Sequence, residues 1–421
     1  MDKFLIKGPC KVKGTVNISG SKNASLPILA ASILFDEMVE IKNLPNVRDI
    51  DTMLSLIKSL GFNVKQNKNS NSVVIKKSKK INTFASYSLV KTMRAGILVL
   101  GPLITKFGKA KTSLPGGCLI GARPINYHLN ALKKLGMNYK IEKGYVNAFA
   151  KSKLTGSNIF FPKISVGATE NAILAATLAN GKTILKNCAI EPEIKNDLTN
   201  FLNQAGAKIK WIGKRTVEIK GVKSLKKISY SVMGDRIECG TFCVAATISK
   251  GNLKIKGFDP KLINTELNLL KKVGAKIKIN EKLLSIAGPE KIKPIKNIVT
   301  KEWPGVATDM QAQLMVLMCR ANGKSIITEN IFENRFLHVG ELQRLGADIQ
   351  VKKNKAIIRG NTKFVGAEVM SSDLRASVAL VLAAIISNGK STINRIYHLD
   401  RGYEKIEKKL TKIGVNIKRI S

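Results

Sequence analysis

The sequence predicts a two-domain α/β protein in which six copies of one repeat place their helices inside and their sheets outside. The chain has 421 residues and is 44% hydrophobic, which is enough for a large core in two to three domains of about 150 residues each. A helix–glycine–strand signature occurs six times, with its glycines 68 to 75 residues apart. Between these signatures lie helical segments that are apolar around their whole circumference, as buried helices are.

The recurring signature combines an amphipathic helix, a glycine and an alternating strand. Residues 51–60 carry the helical pattern in the first copy, and residues 208–212 alternate in the third. Glycine suits the left-handed position that ends many helices, so each copy indicates a helix, its stop and a strand. The six glycines are Gly61, Gly136, Gly206, Gly274, Gly346 and Gly414.

A second element with the same period is an apolar helix that ends in a turn and a short strand. Its turns start at Gly181, Gly251, Gly323 and Gly389, with weaker copies at Asp36 and Gly108. Two helices and several strands in each repeat of about 70 residues give six repeats, and therefore two domains of three repeats each. We expect residues 22–232 to form one domain, and residues 1–21 with 233–421 to form the other.

The net charge of +42 suggests a polyanion as a partner, because clustered basic surface is typical of nucleic-acid-binding proteins. Of the 71 basic residues, however, 58 are lysines spread along the chain and only 13 are arginines. Lysine is a solvated point charge, whereas base readout and phosphate clamps favour arginine. Aromatic residues make up only 5% of the chain, and no stacking platform is evident. We attribute the surplus to solvated surface and keep a non-catalytic polyanion-binding scaffold as an alternative.

Compartment and metal content follow from features that the sequence lacks. Residues 1–14 have no signal-peptide pattern, and the longest apolar stretches, 95–105 and 376–387, are too short to span a bilayer. The six cysteines show neither metal spacing nor a disulfide framework, and the three histidines have no ligand spacing. We expect a cytoplasmic protein with reduced cysteines, no metal and no membrane contact.

Charged and polar residues cluster where the apolar helices begin. Helix N-termini attract anions through their free N–H groups and positive dipole end. Ser, Thr and Asp at these positions can equally be ordinary N-caps. Capping does not explain a cation at a helix start, so Lys22 and Arg94 favour an anion-binding face. The residues at these starts are Lys22, Asn23, Arg94, Asp309, Asp373 and Arg375.

Residues 113–124 form a glycine-rich segment that contains Cys118 and Arg123. Such composition predicts a polar loop, and a nearby arginine favours a reactive thiolate. The alternative is an inert, buried cysteine. No serine–histidine–aspartate order or P-loop pattern accompanies the loop, so hydrolase and nucleotide-triphosphatase functions are disfavoured. His128 follows the loop and His398 precedes residues 400–403, which makes both candidates to support a site.

Five motifs resemble those of the UDP-N-acetylglucosamine 1-carboxyvinyltransferases, in the EPSP synthase family. They lie in the family's order at residues 19–24, 114–124, 308–313, 332–336 and 398–403, and the resemblance extends from Lys7 to Arg419. The related 5-enolpyruvylshikimate-3-phosphate synthases lack the cysteine-bearing loop and are the poorer match. The resemblance implies an inside-out α/β barrel architecture of six βαβαββ repeats, three in each domain, with an active site in the interdomain cleft.

The resemblance also implies the reaction. The enolpyruvyl group of phosphoenolpyruvate passes to the 3′-hydroxyl of UDP-N-acetylglucosamine with release of phosphate, by addition and elimination. This is the first committed step of peptidoglycan precursor synthesis, and hence serves cell wall biogenesis, cell shape and cell division. Cys118 would be the proton donor, the target of fosfomycin and the site of a covalent phosphoenolpyruvate adduct. Asp309 would be the general base. No cofactor, metal or obligate protein partner is expected.

The family's site residues match positions of this chain. Residues 112–124 would form a lid over the bound substrates. Catalytic roles fall to Cys118, Asp309, Lys22 and Arg401. Phosphoenolpyruvate would be bound by Lys22, Asn23, Arg123 and Arg401. UDP-N-acetylglucosamine would be bound by Arg94, Arg123, Pro124, Ile125, Asn126, Tyr127, Lys163, Ile164, Ser165, Val166, Asp309 and Ile331. Supporting roles fall to Arg335, Asp373, Arg375, His128 and His398.

Three positions depart from the family pattern. Asn126 stands where an aspartate is common, which puts a contact near the uracil in doubt. Leu98 replaces a tryptophan of some members, and Met233-Gly234 stands where Leu-Pro is usual. None of these departures falls on a residue with a predicted chemical role.

Overall fold

The computed structural model describes residues 2–116 and 124–421, which form two compact lobes. Lobe 1 comprises residues 20–116 and 124–233. Lobe 2 comprises residues 2–19 and 234–421. Cys118 and Arg123 lie outside the described residues, as does most of the segment predicted to be a lid.

The elements of residues 2–116 are β1 Lys3–Gly8, β2 Lys13–Asn17, α1 Lys22–Ala31, β3 Val39–Lys42, α2 Arg48–Ser59, β4 Phe62–Asn67, β5 Ser72–Lys77, β6 Phe84–Ala85, α3 Tyr87–Val90, α4 Leu100–Phe107 and β7 Lys109–Ser113. Those of residues 124–233 are α5 Asn126–Lys134, β8 Asn138–Glu142, β9 Tyr145–Phe149, β10 Asn158–Phe160, α6 Val166–Ala176, β11 Lys182–Lys186, α7 Thr199–Gln204, β12 Lys208–Gly213, β13 Thr216–Lys220 and β14 Ile228–Ser231.

Residues 234–421 form α8 Arg236–Ile248, β15 Asn252–Lys256, α9 Asn264–Lys272, β16 Lys276–Asn280, β17 Leu283–Ala287, β18 Asn297–Val299, α10 Gln311–Arg320, β19 Ser325–Thr328, α11 Val339–Arg344, β20 Ile349–Lys352, β21 Lys355–Ile358, β22 Glu368–Met370, α12 Leu374–Ile385, β23 Gly389–Asn394, α13 Ile406–Lys412 and β24 Ile417–Ile420. Short 3-10 turns, among them Arg94–Val99 and Thr308–Met310, precede α4 and α10.

The strands form six four-stranded sheets that share one topology. In the sheet β10-β11-β13-β12, β10 runs parallel to β11, and β13 runs antiparallel to both β11 and β12. Helix α6 connects β10 to β11, and α7 connects β11 to β12. This is the βαβαββ order implied by the resemblance, and the other sheets are β14-β3-β5-β4, β6-β7-β9-β8, β16-β17-β15-β2, β18-β19-β21-β20 and β22-β23-β1-β24.

Three sheets take one strand from a distant part of the chain. β14 pairs with β3, β2 pairs with β15, and β1 lies between β23 and β24. The first strand of the first repeat therefore comes from residues 228–231. Residues 3–17 supply one strand to each of two sheets in lobe 2.

The helices that the sequence predicts to be buried are buried. Every residue of α8 is buried, and so is every residue of α12 except Leu374. The strands alternate between buried and exposed positions, so the outer faces of the sheets meet solvent.

All six signature glycines have positive φ, between 91° and 108°, as a helix stop in the left-handed region requires. The predicted α/β fold class, with inner helices and outer sheets, is confirmed. Among the described residues, no helix is long and apolar enough to cross a membrane.

Candidate active site

Apart from Cys118 and Arg123, the site residues predicted from the sequence divide between the two lobes, and we call the group in each lobe its cluster. The cluster of lobe 1 contains Lys22, Asn23, Arg94, His128 and the two segments 124–127 and 163–166. The cluster of lobe 2 contains Asp309, Ile331, Arg335, Asp373, Arg375, His398 and Arg401. In both clusters, charged side chains lie at the starts of buried helices, where the sequence analysis places an anion-binding face.

Lys22 is the first residue of α1, and its ammonium group forms an ion pair with Asp49 of α2. Ser21 is the N-cap, and its hydroxyl accepts a hydrogen bond from the backbone N–H of Ala24 at 3.3 Å. Lys22 Nζ lies 3.3 Å from Asp49 Oδ2, and the two side chains are only 12% and 6% exposed. A cation at a helix start opposes the helix dipole, and Asp49 offsets this repulsion. Asp49 was not predicted from the sequence, because the helical pattern lies at residues 51–60, whereas α2 begins at Arg48 and has Asp49 in its first turn.

Arg94 opens the 3-10 turn that leads into α4, and its charge acts on His128. His128 is buried on α5, and its Nδ1 lies 3.1 Å from the side-chain amide of Asn171. Burial, and then the charge of Arg94, lower the pKa of His128 to about 3. The imidazole is therefore neutral at physiological pH, and Arg94 places a positive charge near it.

The two segments expected to bind the nucleotide sugar lie at the starts of α5 and α6. Pro124 and Asn126 are exposed, and α5 begins at Asn126. Lys163 is exposed, and Ser165 caps α6 by accepting from the backbone N–H of Ala168 at 3.3 Å. A groove of about 510 Å³ is lined by Tyr127, by residues 130–131 and 133–134 of α5 and by residues 159–162, which precede the second segment. The exposed ends of both segments are therefore available to a ligand.

Asp309 is held between two buried arginines. It lies in the 3-10 turn that precedes α10, and its Oδ1 is 3.0 Å from Arg335 and its Oδ2 is 2.9 Å from Arg375. The arginine side chains are 5% and 4% exposed, whereas Asp309 is 29% exposed. Two guanidinium groups, one at each carboxylate oxygen, fix the plane of the carboxylate. Asp309 is therefore an oriented and partly exposed carboxylate, as a general base needs to be.

Arg375 makes its second contact with an aromatic ring. Its guanidinium carbon lies 5.6 Å from the centre of the Tyr403 ring, and the Tyr403 hydroxyl is 2.8 Å from Thr241 Oγ1. Burial alone would lower the pKa of Arg375, but Asp309 and other nearby groups raise it above the ordinary arginine value. Asp373 caps α12, and its Oδ1 accepts from the backbone N–H of Arg375 at 2.9 Å. Asp373 thus places the backbone from which Arg375 reaches Asp309.

Glu329, which was not predicted from the sequence, organises the segment around Asp309 and Ile331. Its carboxylate is almost fully buried, at 3% exposure. One oxygen accepts from the backbone N–H of Ile331 and from the hydroxyl of Thr300, each at 2.8 Å. The other accepts from the hydroxyl of Thr308 at 3.0 Å. One buried acid therefore fixes both Ile331 and the residue before Asp309, but no local pattern marks it.

Arg401 ends the 3-10 turn Ile396–Arg401, and His398 lies in the same turn. His398 packs against the Tyr397 ring at 4.3 Å, and its pKa is lowered by burial and then by the charge of Arg401. Gly402 allows the next turn to pass close to α12, because a Cβ there would lie 2.6 Å from the side chain of Leu374. Close packing thus fixes the backbone that presents Arg401.

Two departures from the family pattern have structural surroundings of their own. Leu98 is buried within the turn that Arg94 opens, at 3% exposure. A Cβ at Gly234 would lie 2.2 Å from the backbone oxygen of Gly257, so this position has no room for a side chain. Neither residue is part of a cluster described above.

Comparisons with known proteins give the family. The family model for EPSP synthase (3-phosphoshikimate 1-carboxyvinyltransferase) matches residues 6–410. A UDP-N-acetylglucosamine 1-carboxyvinyltransferase of Pelagibacter ubique is 61% identical over the full length of both chains. The enzyme of the same name from Trichlorobacter lovleyi is 49% identical, again over the full length of both. The chain belongs to the EPSP synthase family.

Within this family, the chain groups with the UDP-N-acetylglucosamine 1-carboxyvinyltransferases, and the resemblance stated from the sequence is confirmed. Solved structures agree on the EPSP synthase family fold. The enolpyruvyl transferase NikO from Streptomyces tendae aligns with a TM-score of 0.89 at 23% identity, over 100% of this chain and 99% of that one. EPSP synthase from Acinetobacter baumannii aligns with a TM-score of 0.78 at 18% identity, over the full length of both chains. A transferase is therefore favoured over the polyanion-binding scaffold.

Proposed function

We propose that this protein transfers the enolpyruvyl group of phosphoenolpyruvate to the 3′-hydroxyl of UDP-N-acetylglucosamine and releases phosphate. The full-length similarity to 1-carboxyvinyltransferases supports this reaction class and this acceptor. The main structural support for the proposal is the geometry of Asp309, a partly exposed carboxylate that the two buried arginines Arg335 and Arg375 orient. An acceptor hydroxyl needs such a base to become a nucleophile.

The proposed chemistry takes place in two steps. In the addition, Asp309 accepts the proton of the sugar hydroxyl, and the hydroxyl oxygen forms a bond to C2 of phosphoenolpyruvate. The Cys118 thiol gives a proton to C3. In the elimination, the Cys118 thiolate takes a proton back from C3, the double bond re-forms, and the C2–O bond to phosphate breaks as the Asp309 proton passes to the leaving phosphate. Atoms and charge balance without a cofactor. The role of Cys118 rests on the family resemblance.

The cations of the site are assigned to the charges of phosphoenolpyruvate. Lys22 and Arg401, together with Arg123 and Asn23, would bind its phosphate and carboxylate. The ion pair of Lys22 with Asp49 supports this assignment, because it holds the ammonium at the start of α1. Guanidinium groups suit carboxylate and phosphate because they donate two parallel hydrogen bonds.

Most of the residues assigned to the nucleotide sugar belong to lobe 1. Arg94 and the segments 124–127 and 163–166 would bind UDP-N-acetylglucosamine, with Asp309 and Ile331 as further contacts. The exposure of Asn126 and Lys163 supports this assignment, and their chain neighbours Tyr127 and Pro162 line one groove. We further propose that the product is a peptidoglycan precursor, and that the reaction takes place in the cytoplasm, where a thiol such as Cys118 stays reduced.

A phosphate-release assay tests the proposal. Phosphate should appear only when phosphoenolpyruvate and UDP-N-acetylglucosamine are both present, and fosfomycin should stop it. Release with shikimate 3-phosphate in place of the nucleotide sugar would contradict the assigned acceptor. Binding of duplex DNA below micromolar concentration at physiological salt, with no turnover, would favour the scaffold instead.

Variants test the two proton-transfer roles. Cys118→Ser should nearly abolish turnover, whereas Cys118→Asp should keep activity and lose fosfomycin sensitivity, because a carboxylic acid can also donate a proton. Asp309→Asn should lower kcat by about a hundredfold or more. Asp348→Asn is the control, since Asp348 forms an exposed pair with Arg359. A Cys118→Ser protein that stays active and drug-sensitive would disprove the role of the thiol.

A further inference from the structure

The side chain of Asn171 connects three segments of lobe 1. Asn171 lies on α6 and is fully buried. Its Oδ1 accepts from the backbone N–H of Gly101 at 2.8 Å, and its Nδ2 donates to the backbone oxygen of Ile97 at 3.1 Å. The same Nδ2 lies 3.1 Å from Nδ1 of His128 on α5. One amide thus joins α6 to the turn before α4, to α4 itself and to α5.

These contacts fix the orientation of the amide and the tautomer of the histidine. Gly101 offers a donor and Ile97 an acceptor, so only one placement of the amide oxygen and nitrogen satisfies both. The nitrogen then faces His128 as a donor, which makes Nδ1 the acceptor and places the imidazole proton on Nε2. Each polar atom of the Asn171 side chain therefore has a defined partner and direction.

The atoms around these contacts are packed so closely that Gly101 and Gly167 have no room for a side chain. A Cβ at Gly101 would lie 2.3 Å from Asn171 Oδ1, and a Cβ at Gly167 would lie 3.0 Å from His128 Cε1. Both distances are at or below the limit that a real Cβ tolerates. We call Asn171, His128, Ile97, Gly101 and Gly167 the Asn171 cluster.

Three of the segments that the cluster joins begin with residues assigned to the nucleotide sugar. The turn before α4 begins at Arg94, α5 begins at Asn126, and α6 begins at Val166 after its cap Ser165. We propose that Asn171 is a positioning residue for UDP-N-acetylglucosamine, which acts by fixing these three starts relative to one another. The inference rests on the proposed function, because that function names the ligand.

A merely apolar core would not need an asparagine at this position. A buried amide is costly unless all its groups are hydrogen-bonded, and leucine fills a similar volume without that cost. In Asn171→Leu, however, the backbone groups of Ile97 and Gly101 lose their partner, and the segment that carries Arg94 is free to shift. A misplacement of about 1 Å at a substrate contact can cost up to about a hundredfold in activity.

Steady-state kinetics of Asn171→Leu test the proposal, with Thr177→Val as the matched control. Thr177 is also fully buried and follows α6, but its hydroxyl donates to Ile173 within the same helix at 2.8 Å. We expect Asn171→Leu to raise the KM for UDP-N-acetylglucosamine by about tenfold to a hundredfold, with the KM for phosphoenolpyruvate and kcat changed by less than about threefold. Thr177→Val should leave all three near the wild-type values.

The state of His128 gives a second readout that loss of stability alone would not move. The chain has only three histidines, so NMR can follow each imidazole. In the wild type, His128 should carry its proton on Nε2 and stay neutral down to about pH 4, because its pKa is about 3. In Asn171→Asp a carboxylate oxygen faces Nδ1, so Nδ1 should gain a proton and the imidazole should become charged at a higher pH than in the wild type.

Three results would overturn the proposal. One is a wild-type His128 with its proton on Nδ1. Another is an equal rise of both KM values in Asn171→Leu. The third is an Asn171→Leu protein with the kinetics of Thr177→Val. Failure of the proposed function looks different, because the wild type would then neither bind UDP-N-acetylglucosamine nor release phosphate with it.

Discussion

Removing Arg375 should destabilise lobe 2 far more than removing an exposed arginine of the same lobe. Its side chain is 4% exposed and lies 2.9 Å from Asp309, which is 29% exposed. Loss of one partner from a buried ion pair costs about 3–5 kcal/mol, because the other charge stays behind without its counterion. Asp309 keeps Arg335 and some contact with solvent, so we expect a loss at the low end, about 3 kcal/mol, for Arg375→Met.

The assay uses the single tryptophan of each lobe, Trp211 in lobe 1 and Trp303 in lobe 2. In a Trp211→Phe background, the fluorescence of Trp303 reports on the urea unfolding of lobe 2 alone. The unfolding of the two lobes is then not fitted as a single transition. Arg359→Met is the control. Its partner Asp348 lies at 3.3 Å, and the two side chains are 72% and 57% exposed, so the loss should stay within about 0.5 kcal/mol.

A double variant separates lost charge pairing from lost packing. If the cost of Arg375→Met comes from a carboxylate deprived of its partner, Asp309→Asn in the same protein should recover part of the stability. Equal losses for Arg375→Met and the exposed control would refute the reasoning. So would a double variant in which the two separate losses simply add.

Three further predictions concern other positions. Glu329→Gln should lower kcat/KM by about tenfold in the phosphate-release assay. Both Glu329 oxygens accept hydrogen bonds, so the amide group of glutamine would lose the bond to Ile331 or the bond to Thr308, next to the general base Asp309. Gly101→Ala should cost about 1–3 kcal/mol in urea unfolding, because its Cβ would meet Asn171, whereas Gly340→Ala has open space and should not destabilise. Burial raises the pKa of Asp197 to about 6, so the folded protein favours the protonated carboxyl. The protonated carboxyl therefore stabilises the fold fully below about pH 4, and this stabilisation is lost as the pH rises through 6. Asp197→Asn should therefore gain stability relative to the wild type above pH 6, and a pH-independent difference would contradict this.

The sequence identified the helix starts as the chemically important places, and the structure shows which of those residues act together. Asp309, Arg335 and Arg375 are up to 66 residues apart in the chain, yet they form one ionic cluster. Asn171 and Glu329 were not predicted from the sequence, because neither a buried amide within a helix nor a buried acid just after a strand has a local signature. Both act through hydrogen bonds to backbone groups of other segments, and only the folded chain shows where those groups are.

The sequence by itself determined the repeat, the helix stops, the burial of the inner helices and the family. These features depend on local periodicity, on glycine at positive φ and on motifs that lie within a few residues of one another. Only the tertiary structure decided that β14 completes the first sheet and that β1 and β2 enter two different sheets. Strand pairing over such distances depends on which edges the packed helices leave open, and a single strand's pattern does not name its neighbour. The partners of Lys22 and Asp309 were decided in the same way, because an ion pair forms between side chains that the fold brings within a few ångströms.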